Sequence, residues 1–227
     1  SLKHGIRATL FQNLGEETVY TYNGDYERTD SVYYASGKLF NPHFGLEPRI
    51  GFVYKLPRNS SVKGSFSRTL QYIQLASNST GGLPFDLWFT SGPNVKPQSS
   101  LQYSLGFFKN FNDNRIEVSL EGYYKTMDDL IDFKDSAWLI GNENIETEIR
   151  TGKGRSYGAE LMFRKNTGKL TGWVSYTFSR TLRTVPEISF GKEYRSPYDR
   201  PHNIAVVLSY DLNSRVNFSA NWVYNTG

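Results

Sequence analysis

Histidines and clustered carboxylates are the residues of this chain that could do chemistry, and their spacing limits what chemistry is open to them. His4, His43 and His202 lie far apart and none belongs to a HExxH pattern, so a helix-borne zinc site has no local ligand set. Asp128, Asp129 and Asp132 stand where a strand-like stretch gives way to a long connection; they could bind a cation at an outer surface, or form an ordinary solvated loop. Glu143, Glu146 and Glu148 lie in another polar stretch without EF-hand spacing. Paired carboxylates hydrolyse bonds only where a pocket drives their pKa values apart, and nothing in the sequence supplies one. Gly152-Lys153-Gly154 with Gly158 misses the GxGxxG spacing and precedes a strand, which removes phosphate cradling. With no Cys, disulfides, thiolate metal sites and Cys nucleophiles are excluded. The expectation is a chain that is not an enzyme, with no catalytic residue, metal site or cofactor.

Aromatic residues outside the patterned stretches are the better candidates for ligand contact. Phe85, Trp88 and Phe89 in Gly81–Phe89, and Trp138 in Ser136–Leu139, are large apolar side chains on connections. Such residues mark binding surfaces when exposed. The alternative is that they pack the connections against one another.

The elements that would position these residues are strands. From Arg115 to Lys125, Ile116, Val118, Leu120, Gly122 and Tyr124 fall on one face and Arg115, Glu117, Ser119, Glu121 and Tyr123 on the other. Period two means strand, and the charge-free face suits hydrocarbon or a dry core. The split recurs in Leu170–Phe178, Asn203–Tyr210 and Val216–Tyr224, and in Ile6–Leu10, Ile50–Leu56, Val62–Phe66, Leu101–Phe107 and Tyr157–Phe163, giving nine candidate strands. Ten tilted residues cover roughly 23 Å, the height of the apolar band of an outer-membrane barrel. The longest apolar run, Ile204–Leu208, is far shorter than the roughly 20 residues a spanning helix needs.

Short connections at Pro57–Ser60, Asn110–Asn114, Asn166–Gly168 and Asp211–Ser214 alternate with long ones at Asn13–Phe44, Gln71–Gln98, Met127–Lys153 and Thr181–His202. Asn, Asp, Gly and Ser supply tight hairpin turns. Strict alternation sends every long connection to the same end of an up-and-down meander, the asymmetry of a barrel with tight periplasmic turns and extended outer loops. A soluble sandwich with long loops at one end is the alternative. The aromatic content of 15%, with sixteen Tyr and fifteen Phe, favours the membrane. On the charge-free faces, Tyr124, Tyr157, Phe178, Trp222 and Tyr224 fall near the long connections, and Tyr54, Phe107, Phe163, Tyr210 and Phe218 near the short turns. Two aromatic girdles would flank an aliphatic middle. The net charge of +4 is spread out, without the basic stripe of a nucleic-acid binder, so no nucleic-acid partner is expected. The first residues lack the apolar core of a signal peptide, as expected for a processed or internal piece.

The expected fold is therefore all-β: an antiparallel up-and-down transmembrane β-barrel, present as a partial segment of about nine strands. Residues 1–227 form one segment of one barrel domain, with outer-membrane lipid as its partner and the cell outer membrane as its location. Charges on the polar face, Glu117, Glu121, Glu160 and Arg164, are expected to pair across strands or to anchor something in the lumen.

Ser156–Leu161 followed by Gly168–Thr181, and Tyr198-Asp199-Arg200-Pro201-His202-Asn203-Ile204 leading from a long loop into a strand, resemble the C-terminal half of TonB-dependent outer-membrane receptors, in a flavour similar to those of Bacteroidetes-like bacteria. The cadence of Gly45–Leu75 and of the chain from Lys96 onward is similar, so the resemblance covers most of the sequence. It implies a barrel of about 22 strands with a plug in the lumen. It also implies active uptake of a scarce small nutrient (a metal chelate, cofactor or glycan fragment) captured by the outer loops. Energy coupling would come from the TonB complex, through a plug domain that, like the closing strands, is absent from these residues. The rival function is a non-transporting β-rich surface adhesin or a soluble β-sandwich binding module; a plug-like domain encoded upstream would decide between them.

Overall fold

The computed structural model describes residues 1–76, 87–139, 142 and 144–226. The strands are β1 (Leu2–Leu14), β2 (Glu17–Tyr22), β3 (Arg28–Tyr34), β4 (Leu39–Leu56), β5 (Ser60–Gln71), β6 (Ile73–Ala76), β7 (Leu87–Thr90), β8 (Gln98–Phe111) and β9 (Ile116–Phe133). They continue with β10 (Ile149–Lys165), β11 (Leu170–Thr184), β12 (Tyr194–Arg195), β13 (His202–Asn213) and β14 (Val216–Asn225). One antiparallel sheet runs β1-β4-β5-β8-β9-β10-β11-β13-β14, with β12 added to β11. Each of the nine stretches read from alternation lies in one of these nine strands, except that Arg115 falls in the turn before β9. The strands β1 and β14 each have a single neighbour, so the sheet is a partial, unclosed barrel.

The turns follow from residue type. Arg58 and Asn59, and then Asn112, Asp113 and Asn114, adopt positive φ, as does Gly168. Asn and Asp tolerate this left-handed region, and Gly enters it freely.

Register turns the alternation into two surfaces. Tyr54, Val62, Phe107, Leu120, Leu161, Tyr176, Ile204 and Tyr224 lie side by side across eight strands. One residue along, the opposite face carries Lys63, Gly106, Glu121, Glu160, Thr177, Asn203 and Asn225 in a parallel row. Leu105, Leu120 and Leu161 are about half exposed, at 59%, 53% and 49%, on a face whose charges stand only toward its ends, such as Lys109 near the turns and Arg68 and Arg155 toward the crown, the inverse of a water-soluble sheet. The apolar row starts at Tyr54, two residues from a short turn, and by β13 has climbed to Ile204, two residues from a long connection. That climb is the stagger a sheet needs to curl into a barrel. Among the exposed rings, Tyr54, Phe107, Phe163, Tyr210 and Phe218 lie near the turns and Tyr124, Trp222 and Tyr224 toward the long connections; Tyr103 and Tyr176 are exposed on this face as well, and Tyr157 and Phe178, expected in the upper girdle, are only partly exposed.

The long connections gather at one end and hold more structure than their sequence suggests. At 18 residues each, β4 and β9 exceed the 9–11 or so needed to span a bilayer and extend into this crown. There β2 pairs β3 and β6 pairs β7. Asp129, with φ 57°, is a bulge: Asp128 faces Lys153 and Leu130 faces Gly152, leaving Asp129 unpaired. Buried Gln74 donates to the Asp129 carbonyl at 3.3 Å and so ties β6 to the bulge. Ala76, Phe89, Val95, Ile131, Phe133 and Ile149 close one apolar cluster, and Leu130, Val185 and Ile188 a second. Asp132 is no solvated loop residue. It is buried in β9, where its carboxylate accepts from Arg183 Nη1 at 2.9 Å and from the Tyr194 hydroxyl at 2.6 Å. Burial and this hydrogen bond hold the Tyr194 phenol well above its ordinary pKa.

Candidate ligand-binding site

Three connections converge in the crown on a polar cavity of about 180 Å³, lined by Asn13, Glu17, Tyr20, Tyr22, Asn144 and Glu146 among others. The β2–β3 hairpin brings the two tyrosines. Its turn is built by Asn23, whose Oδ1 accepts from the backbone N–H groups of Asp25 at 3.0 Å and Glu27 at 2.8 Å. Asn94 from the second connection donates to the Tyr20 carbonyl at 3.0 Å and to Glu146 Oε2 at 2.8 Å. One amide thus joins the hairpin to the 3₁₀ turn Ile145–Glu148 of the third connection. Arg28 stacks on Tyr20, 3.5 Å from the ring centroid, and donates to Asn144 Oδ1.

Burial raises the pKa of the Glu146 carboxyl, the Asn94 hydrogen bond opposes this, and the Glu17 charge adds to the rise. Burial also raises the Tyr22 phenol, and Glu146 raises it further. The lining therefore mixes two carboxyl groups with phenol and amide donors. It suits a ligand rich in hydrogen-bond donors and disfavours phosphate or carboxylate, whose charge would face Glu17 and Glu146.

The aromatic candidates separate. Phe85 lies outside the described residues. Trp88 and Trp138 are 68% and 69% exposed and available to a ligand, though neither lines the cavity. Phe89 is 7% exposed and packs edge-on against Phe133, with ring centroids 6.4 Å apart, so it holds the connections together. Sequence reading missed Phe190, which is 96% exposed at φ 57°; its setting between Ser189 and Gly191 in a long connection was the available signal. It also missed Glu17, Tyr20 and Tyr22, which only the hairpin brings to Glu146. Glu143 lies outside the described residues, and Glu148 is buried, accepting from the Trp138 N–H at 2.9 Å and pairing with Lys134 at 3.1 Å. His202 bonds the Tyr176 hydroxyl through Nδ1 at 2.8 Å, and His43 Nε2 lies 2.9 Å from the Asn41 amide.

On the polar face, Glu117 stands opposite Arg164, while Glu121 stands opposite Glu160. Like charges directly across a ladder repel, so the second pair does not fit the expected cross-strand pairing. A larger depression of about 600 Å³ lies on the apolar face, where Gly122 and Ala159 sit low between Leu105, Phe107, Leu120 and Tyr124. It has the character of a lipid-contacting surface.

An unclosed antiparallel wall with an apolar outer face free of charge in its middle, a polar inner face and a one-sided crown is a wall of the outer-membrane β-barrel class. The family model described as TonB dependent receptor-like, beta-barrel matches residues 9–227. The chain belongs to this TonB-dependent receptor β-barrel family. The family is one of outer-membrane receptors and transporters rather than enzymes, and TonB and a small ligand are its general partners. Among solved structures, the chain is similar to the ferric-catecholate import receptor Fiu from E. coli K12 in its closed form, at 16% identity and TM-score 0.61. The match covers 97% of this chain and 31% of that one, so the chain spans about a third of that receptor's length. No curated protein matches the chain in sequence.

Proposed function

We propose that this chain is the ligand-gathering side of a TonB-dependent outer-membrane transporter for a scarce nutrient, such as a metal chelate, cofactor or glycan fragment. The supporting observation is the cavity at the crown, where Asn94 fastens two connections around Glu146 above a membrane-facing wall. Captured ligand would pass inward along the polar face once a plug, supplied by the rest of the receptor, rearranges under TonB. Trp88, Trp138 and, outside the described residues, Phe85 would make first contact. The mixed lining favours a neutral or cationic, hydroxyl- or amine-rich ligand over an anionic one. Growth of a strain lacking the full-length gene on single iron, cobalamin and glycan sources identifies the nutrient. Complementation with Glu146→Gln should then lower uptake several-fold at limiting nutrient, with normal receptor levels in the outer membrane. Unchanged growth of the deletion strain on every source would overturn the transport reading. Full uptake by the Glu146→Gln strain would remove the cavity from it.

A further inference from the structure

The ladder between β4 and β5 stops early. It runs from Leu56 opposite Ser60 to Arg49 opposite Ser67, yet β4 continues along β1 to Leu39 and β5 continues along β8 to Gln71. The wall therefore forks over the upper part of these strands. Pro48 at the fork has no N–H to give. Glu47 partly fills the gap: Oε1 accepts from the Leu70 N–H at 2.9 Å, while Oε2 takes the Thr9 hydroxyl at 3.2 Å and the Arg7 guanidinium at 3.3 Å.

Height makes the fork consequential. Arg49 lies about seven residues from the short turn, or roughly 16 Å up a strand tilted about 45°, within an apolar band about 25 Å tall. Phe44 and Leu46 are exposed above it, so the outer surface is still apolar at this level. Backbone groups left open there have no water to bond, and something polar must meet them.

A cavity of about 350 Å³ occupies the fork, lined by Phe44, Arg68, Leu70, Tyr72, Lys96 and Asp129 among others. The Tyr72 hydroxyl is buried without a hydrogen-bond partner among the described residues, its ring stacked on Phe11 at 4.9 Å. A Cβ on Gly45 would lie 2.5 Å from that hydroxyl and 2.2 Å from Leu70 Cδ1, so Gly45 is what admits both side chains. Neither Arg68 nor Lys96 belongs to an ion pair among the described residues. Against them the lining sets one carboxylate, Asp129.

We propose that the fork binds a phosphate-bearing lipid headgroup of the outer leaflet. Arg68 and Lys96 hold the phosphate, the Tyr72 hydroxyl donates to it, and the first acyl carbons lie on Phe44 and Leu70. Two cations outside any ion pair and a buried donor without a partner among the described residues select an anion, while the apolar half of the lining and its opening toward lipid select an amphiphile over a free ion. The site rests on the membrane-spanning reading and is separate from the crown cavity.

The test uses the full-length receptor in a neutral detergent, with binding followed by native mass spectrometry. The probes are dihexanoyl phosphatidic acid, dihexanoylglycerol and inorganic phosphate. Phosphatidic acid should bind most tightly, and an Arg68→Gln/Lys96→Gln double variant should weaken it about tenfold. Tyr72→Phe should weaken binding several-fold while raising the unfolding temperature of the lipid-free receptor, because it removes an unsatisfied buried hydroxyl. Heat-modifiable gel migration checks that each barrel is intact. Equal binding of inorganic phosphate would make this a free-anion site, equal binding of the diglyceride would make it an apolar crevice, and either result overturns the proposal, as does phosphatidic acid binding that the variants leave unchanged. A receptor missing from the outer-membrane fraction would instead overturn the membrane reading.

Discussion

Replacing Leu120 by Lys places a charge where hydrocarbon should be. Leu120 is 53% exposed on a face whose lateral neighbours are Phe107 and Leu161. From the turn residue Arg115 it lies about five positions along the strand, roughly 12 Å up at 3.3 Å per residue and about 45° tilt. Half of an apolar band about 25 Å tall is nearly the same height, so the position is at the midplane, where a lipid-facing Lys costs about 2–4 kcal/mol. That is roughly a 30- to 900-fold change in the folding constant. Glu121→Lys is the control, one residue along and on the polar face, where it would relieve the repulsion with Glu160 and gain about 0.2–1 kcal/mol. Urea unfolding of the full-length receptor in lipid vesicles, followed by tryptophan fluorescence, measures both. Equal stability of Leu120→Lys and the parent, or a larger loss for Glu121→Lys, would refute the face assignment.

Three further outcomes are expected. Asp132→Asn weakens the bonds to Arg183 and Tyr194 and should loosen the crown by about 1–3 kcal/mol, read as faster hydrogen exchange around residues 183–196 with the membrane strands unchanged. Tyr194 has a raised pKa, so its contribution to stability is complete below its ordinary value of 10.0 and is lost as pH rises through the higher folded value. In an ultraviolet titration of the folded receptor this phenol should ionise later than exposed tyrosines, and in Asp132→Asn earlier than in the parent. Gly158→Val would put a Cβ 2.5 Å from the Phe178 carbonyl oxygen and 2.8 Å from the Tyr123 ring that covers this glycine; a loss of about 1–3 kcal/mol in the urea midpoint is expected.

The membrane-facing half of the fold was legible because its residues answer to one rule. In Ile116–Lys125 or Leu170–Phe178 every second side chain meets lipid, and the pattern is the structure. The crown obeys no single rule. Past Lys125 the bulge at Asp129 shifts the phase by one residue, so Leu130, Ile131, Asp132 and Phe133 read as the start of a loop although they continue β9. In β6 and β7, four residues each are too few for alternation to stand out. That brevity is also why Phe89 looked like its neighbour Trp88, when the two alternate between the cluster and the surface. The cavity joins Glu17 and Glu146, the latter held by Asn94; these residues meet only through tertiary packing, and no spacing along the chain announces them.

Sidedness tests the central claim most directly. The chain contains no Cys, so single substitutions supply unique labels. In the full-length receptor on living cells, Trp138→Cys in the crown should react with a membrane-impermeant maleimide, whereas Thr167→Cys in a short turn should react only after the outer membrane is permeabilised. Labelling of both positions on intact cells, or of Thr167→Cys alone, would contradict a wall that spans the outer membrane with its long connections outside.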